Sequence, residues 1–169
     1  MGDGSIVFHL LLLHSICEIC ASATASTNSV IKMKKILILC TGNSCRSQMA
    51  HGYMHYFTGS RAKVYSAGVE MHGVNPNAIR FMKEDGIDIS AYTSNHVDEY
   101  KNIEFDFVIT VCDYANETCP HINSKAPKFH HDFPDPTKIS GTEEEVATAF
   151  RRTREMIKVY CKEFAEKHL

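Results

Sequence analysis

Two short apolar runs, each followed by a cysteine, punctuate the chain: Ile36 to Leu39 before Cys40, and Phe105 to Val111 before Cys112. Continuous apolar runs of this length, bounded by polar turn residues, are typical of strands buried on both faces of a parallel sheet. Lys63 to Ser66 and Lys128 to Phe133 read as two further strands, and Ile87 to Ser90 as a brief extended piece. Helical spacing fills the intervals. Met49, Tyr53 and Tyr56 or Phe57 recur at that spacing from Arg46 to Phe57, and Thr58-Gly59 closes the segment. Val74-Asn75-Pro76 opens a second helix with Ala78, Phe81 and Met82 inward, ended by Gly86. Thr93-Ser94-Asn95 suits the N-cap of a short helix reaching Tyr100. Thr142 to Lys167 forms one long amphipathic helix burying Val146, Phe150, Met156 or Ile157, Tyr160 and Phe164, with Glu143, Glu144 and Glu145 suited to the positive end of its dipole.

This alternation predicts an α/β fold: one domain around a central, mainly parallel, four-stranded sheet with helices on both faces. Ligands in such sheets gather at the carboxyl ends of the strands, where Cys40 and Cys112 both belong. A length of 169 residues with 44% hydrophobic content supports one buried core, and a net charge of −2 offers no footprint for nucleic acid. Seven cysteines, an odd number and not spaced as paired CxxC units, fit a reducing, cytoplasmic setting better than a disulfide framework.

Residues 1–32 stand apart. Ile6 to Ile16 is mostly apolar and Ala21 to Thr27 is rich in small residues, yet Asp3 and the absence of an early lysine or arginine argue against a secretory signal. His9 and His14 interrupt the apolar run, which is too short to span a bilayer. The expectation is an unstructured extension, or upstream translation before a natural start at Met33, followed by the folded domain from 33 to 169.

Candidate chemistry centres on Cys40-Thr41-Gly42-Asn43-Ser44-Cys45-Arg46-Ser47. A strand, a turn of small polar residues and a helix start in this order converge backbone N–H groups on one point, which suits a tetrahedral oxyanion. The Gly-Lys-Ser/Thr ending of a nucleotide loop is missing. A cysteine beside a helix N-terminus and an arginine is expected to have a lowered pKa and to act as a nucleophile. Arg46 supplies a planar fork for two oxygens of the anion, and Ser47 is close enough to donate to the thiolate. Asp135, held between Pro134 and Pro136, could serve as general acid or simply build the turn.

Cys112 and Cys119 flank six residues. Were that stretch helical, their Cα atoms would lie about 10 Å apart at ~1.5 Å rise per residue. A disulfide needs roughly 4.4 to 6.8 Å, so the segment must unwind to bridge them. Asp113, Asn116 and Thr118 are poor helix formers and make unwinding inexpensive. The spacing therefore admits a relay in which Cys112 attacks a Cys40 adduct and Cys119 then attacks the Cys40–Cys112 disulfide. It also admits unpaired buried cysteines, or a metal site drawn from Cys112, Cys119, His121, His130 and His131, although zinc motifs space cysteines more closely.

The loop CTGNSCRSQMA, the stretch YSAGVEMHGVNP with its GIDIS continuation, the CDYANETC pair, the FPDP turn and the GTEEE helix start together resemble the thioredoxin-coupled arsenate reductases, built on the low-molecular-weight tyrosine phosphatase fold. The match runs from about Met33 to the end. The resemblance implies that Cys40 attacks arsenate while Thr41, Gly42, Asn43, Ser44, Cys45, Arg46 and Ser47 hold the oxyanion. It implies further that Asp135 protonates the departing hydroxide, that Cys112 resolves the adduct, and that Cys119 completes a shuttle to thioredoxin. A monomer with no membrane partner, no metal and no tightly bound cofactor is expected. Thr137-Lys138 stand where phosphatases of this fold have tyrosines, which favours arsenate over phosphotyrosyl proteins. Several family members hold potassium near the positions of Asn43 and Ser66 through a glutamate and an aspartate. Here His51 and Asn95 occupy those two places, which counts against a potassium requirement. The competing readings are a phosphatase acting through a Cys40 phosphocysteine, with Cys112 and Cys119 as passengers, and a redox sensor in which Cys40 and Cys45 oxidise.

Overall fold

The computed structural model describes residues 32–118 and 125–169. The expectations for the extension up to residue 31, and for Cys119 and His121, lie outside these residues. Four parallel strands, β1 (Lys34–Cys40), β2 (Ala62–Gly68), β3 (Phe107–Thr110) and β4 (Lys128–His130), form one sheet in the order β2-β1-β3-β4. Four helices, α1 (Arg46–Thr58), α2 (Pro76–Glu84), α3 (Asp113–Thr118) and α4 (Glu143–His168), connect or follow them.

The two-residue period of a strand sorts the apolar run of β1 onto two faces. Ile36, Ile38 and Cys40 join the larger core with Met49 and Tyr53 of α1, Phe81 and Met82 of α2, and Phe150, Ile157 and Phe164 of α4. Leu37 and Leu39 turn to the opposite face, which is covered by Phe105, Tyr65, Val97 and Tyr100 around a one-turn 3-10 helix at Val97–Tyr100. Each fully buried aliphatic side chain of this kind contributes about 1.5–3 kcal/mol. In α4 the inward residue is Ile157, fully buried, whereas Met156 faces solvent.

Several boundaries differ from the expected ones, each for a local reason. Ile87 to Ser90 is no strand; Ile89 is buried against the larger core, and Asp88 turns its carboxylate to the Ser90 N–H. His96, not the Thr93-Ser94-Asn95 group, caps the turn at Val97–Tyr100, in a reciprocal box with Glu99. Those three side chains are engaged elsewhere: Thr93 Oγ1 donates to Asn95 Oδ1, Asn95 Nδ2 to Glu99, and Ser94 Oγ to the Gly42 carbonyl. β3 starts two residues late because Asp106 turns back to accept from the Lys35 N–H and from Lys34 Nζ. β4 stops at His130, and Phe133, also expected in the strand, is fully buried in the loop beyond it.

The register pairs Cys40 with Gly68 across β1 and β2. A Cβ on Gly68 would come within 2.5 Å of the Glu70 and Thr41 carbonyl oxygens and 2.7 Å of the Asn43 nitrogen, all of them backbone atoms. Gly68→Ala is therefore expected to cost about 1–3 kcal/mol in denaturant unfolding, as overpacking does. An unchanged unfolding midpoint would contradict this packing.

Candidate active site

The loop from Thr41 to Cys45 leaves the end of β1 in the middle of the sheet and enters α1 at Arg46. Four successive carbonyls in it are engaged from outside. Thr41 O accepts from Glu70 N at 2.9 Å, Gly42 O from His72 N at 3.1 Å and Ser94 Oγ at 3.1 Å, Asn43 O from Gln48 Nε2 at 2.9 Å, and Ser44 O from Asn75 N at 2.9 Å. A trans peptide points its N–H opposite to its C=O. Outward carbonyls thus turn the loop's N–H groups toward the Cys40 sulfur, and that of Asn43 donates to it at 3.2 Å. Asn43 itself sits at φ 42°, in the left-handed region that asparagine tolerates better than most residues. Its buried side-chain oxygen accepts from Gln48 Nε2 at 2.7 Å and lies 3.2 Å from Ser47 Oγ, whose single proton serves either it or the Cys40 sulfur.

Cys40 is 5% exposed, and its Sγ lies 2.8 Å from Ser47 Oγ. The lowered pKa expected for it is not what the fold produces. Burial pushes the thiol up; the Ser47 hydroxyl pulls it down, nearby Cys112 adds to the rise, and the Ser47 and Asn43 N–H groups oppose it. Arg46, expected to help, is turned away: Nη1 donates to the Phe133 carbonyl at 3.0 Å and Nη2 to Asp135 Oδ2 at 2.9 Å, with Asp132 at 3.7 Å. Asp135 builds the turn, one of the two roles considered for it. Its Oδ1 caps the 3-10 turn at Pro136–Lys138 through the Thr137 N–H and hydroxyl, while Oδ2 faces Arg46 over the loop.

Above the loop lies a cleft of about 810 Å³, floored by Thr41, Gly42, Ser44, Cys45 and Arg46 and walled by His72, Phe133 and Asp135. Cys112 opens into the same cleft; it is 2% exposed, and its Sγ lies 3.5 Å from Thr41 Oγ1. The structure thus brings Cys40, Arg46, Asp135 and Cys112 to one cleft. Cys45 is buried, and burial and Asp135 raise its thiol, against Arg46. Cys161 is raised by burial in α4, where its thiol donates weakly to the Ala50 carbonyl. His131 packs on the Phe133 and Tyr160 rings, and His130 bridges Thr110 and Asp113. Among the described residues, no group of three or more His, Cys, Asp or Glu side chains is arranged to hold a metal ion.

The place where a potassium ion would fall holds no carboxylate at residue 51 or 95. His51 Nδ1 is 3.0 Å from Ser66 Oγ, and burial, with His55 nearby, pushes the ring down to about 4, so it is neutral at pH 7. Asn95 Oδ1 accepts from Thr93, and Asn43 Oδ1 accepts from Gln48. Neither residue 51 nor residue 95 thus offers a cation the negative charge that a carboxylate would.

Two residues that hold the site were not read as part of it: Gln48 carries no role in the sequence reading, and Ser94 is there only a helix cap. Gln48 is the more telling: a fully buried amide on a helix flank, donating to Asn43 and to the Thr93 carbonyl at 2.9 Å. A polar side chain one position beyond the anion loop, within a helix that buries most of its surface, is the signal that could have found it.

A thiol at the end of a central parallel strand, cradled by a five-residue loop that closes on an arginine at a helix start, defines a class. Residues 35–169 match the low molecular weight phosphotyrosine protein phosphatase family; the chain belongs to it and is an enzyme. Within that class its relatives include the arsenate reductase of Halalkalibacterium halodurans, 50% identical over 133 residues that cover 79% of this chain and 96% of that protein. The arsenate reductase of Bacillus subtilis is 49% identical over 133 residues with the same coverage. A solved structure of an arsenate reductase in the phosphate binding state is 31% identical and covers 80% of this chain and 98% of its own, with a TM-score of 0.69.

Because Ser47 lowers the Cys40 pKa against burial, Ser47→Ala is expected to move the pH profile of Cys40 alkylation by iodoacetamide to higher pH. A profile that stays in place or moves down would contradict the role of this hydrogen bond.

Proposed function

We propose that the protein reduces arsenate to arsenite through a relay of three cysteines. The observation that carries this reading is the second buried thiol beside the cradle, Cys112 Sγ at 3.5 Å from Thr41 Oγ1. A phosphatase that clears a phosphocysteine with water has no use for it. The names of the relatives at 50% and 49% identity support the same substrate.

In the proposed first step the Cys40 thiolate attacks arsenic(V) held by the loop N–H groups and by the free N–H donors of Arg46. A sulfur–arsenic bond forms, an arsenic–oxygen bond breaks, and Asp135 passes a proton to the departing oxygen, which leaves as water. The Cys112 thiolate then attacks Cys40 Sγ. The sulfur–sulfur bond forms, the sulfur–arsenic pair goes to arsenic, and arsenite leaves as arsenic(III) while the two thiols are oxidised. Cys119 attacks Cys112, freeing Cys40 and leaving a Cys112–Cys119 disulfide. A dithiol protein of the thioredoxin type reduces that disulfide, so the balance is arsenate plus dithiol to arsenite, disulfide and water. Such a reductant implies a reducing compartment, the cytoplasm. No helix among the described residues is long and apolar enough to cross a membrane. The scheme gives no step to a monovalent cation, since His51 and Asn95 stand where a carboxylate pair would hold one.

The test is a coupled assay with arsenate, thioredoxin, thioredoxin reductase and NADPH. Wild type is expected to turn over at the same rate in potassium, sodium and choline salts, and Cys119→Ser to stop after one equivalent of arsenite. If neither protein turns over while both hydrolyse a phenyl phosphate ester, the relay is wrong and the phosphatase reading stands. A strict need for potassium would overturn the reading of His51 and Asn95.

A further inference from the structure

Cys112 is followed by a residue that the scheme above does not use. Asp113 opens α3 and lies at the rim of the cleft, where its Oδ1 accepts from His130 Nε2 at 3.1 Å. His130 ends β4, and its Nδ1 lies 2.8 Å from Thr110 Oγ1 at the end of β3. A carboxylate only accepts, so Nε2 carries a proton toward Asp113, while the Thr110 hydroxyl has two acceptors in reach, Nδ1 and the Phe129 carbonyl at 3.4 Å. The three side chains form a continuous strut from the sheet to the first residue of α3.

α3 needs such a tie. It spans six residues, Asp113–Thr118, of which Asp113, Asn116 and Thr118 are poor helix formers, and a helix of this length is not held by propensity. Its one fully buried apolar anchor among residues 113–115 is Ala115. Cys112 has no freedom apart from this segment: its backbone joins Thr110 and Val111 of the β3 edge on one side and Asp113 on the other. Fixing Thr110 and Asp113 to one imidazole fixes the two ends of the short arc that carries the Cys112 sulfur. The Thr41 hydroxyl, 3.5 Å from the Cys112 sulfur, holds it from the loop side, and the strut holds it from the sheet and helix side.

We infer that Asp113 and His130 are positioning residues that hold Cys112 for its attack on the Cys40 adduct. This rests on the reading of Cys112 as the resolving thiol. The strut touches neither arsenic nor sulfur; it acts by restricting where Cys112 Sγ lies when the Cys40–Cys112 bond forms and the sulfur–arsenic bond breaks. Small misplacements of a reacting group are costly in rate, although a half-exposed pair such as this is itself worth little in stability. Asp113 and His130 are 69% and 34% exposed at the side chain, so their loss is expected to leave folding intact.

The experiment is single-turnover release of arsenite from the full-length reduced protein, compared among wild type, Asp113→Ala, His130→Ala, the exchanged pair Asp113→His with His130→Asp, and Cys112→Ser. Each alanine variant is expected to slow arsenite release about five-fold, the size of a lost exposed pair expressed as a rate. Phosphate ester hydrolysis, which needs Cys40 and not Cys112, is expected to stay within about two-fold of wild type by the same reasoning. The exchanged pair is expected to recover most of the loss. Arsenite release at the wild-type rate in both alanine variants overturns the inference, as does an equal loss of ester hydrolysis. Cys112→Ser separates the two levels: if it abolishes release while the alanine variants are normal, the positioning role alone fails. If it releases arsenite as wild type does, the resolving role of Cys112 fails first.

Discussion

Everything at the site depends on four backbone carbonyls, those of Thr41, Gly42, Asn43 and Ser44, being satisfied on the outside of the loop. A buried carbonyl without a partner costs about 1–3 kcal/mol, so four together would turn the loop over if nothing met them. The segment from Glu70 to Asn75 meets three with backbone N–H groups, and Gln48 meets the fourth. The anion cradle is thus the inner side of a structure whose outer side is clamped. Sheet register supplies the clamp, since the pairing of Cys40 with Gly68 brings the residues after β2 alongside the loop.

The same clamp explains why Cys40 is both guarded and usable. A buried thiol is driven to stay protonated, and here burial is the largest influence on it. The opposing donors, Ser47 Oγ and the N–H groups of Asn43 and Ser47, are fixed by the loop and by the first turn of α1. They favour the thiolate without exposing it to solvent. Arg46 and Asp135 are held by each other, which keeps a positive and a negative group at the cleft wall without either reaching the sulfur. Preorganised donors of this kind need little rearrangement when charge develops on a bound oxyanion.

What could be read from the sequence was local. Strand, turn, cysteine and helix start occupy one run of the chain, so the apolar residues 36–39, the small residues 41–44 and Arg46 announce the loop without any knowledge of what surrounds it. The long helix is legible for the same reason, with Thr142 and Glu145 forming its cap within one turn. Long-range partners were not legible. Ser94 and Asn95 have the composition of a helix cap, yet Ser94 is drawn to Gly42 and Asn95 to Thr93 and Glu99, which leaves the cap to His96. The pKa of Cys40 went the other way from expectation because helix and arginine are visible in sequence, whereas burial and the turning of Arg46 toward Phe133 and Asp135 depend on the folded chain. The Thr110–His130–Asp113 strut joins residues from β3, β4 and α3 and has no sequence signature at all.

The central claim is that one sulfur, Cys40, first carries arsenic and then pairs with Cys112. The most direct measurement is peptide mapping by mass spectrometry of the Cys119→Ser protein after one equivalent of arsenate, quenched in acid and alkylated. A Cys40–Cys112 disulfide in proportion to the arsenite released is the predicted result. Arsenite released while both Cys40 and Cys112 remain alkylatable would contradict the relay.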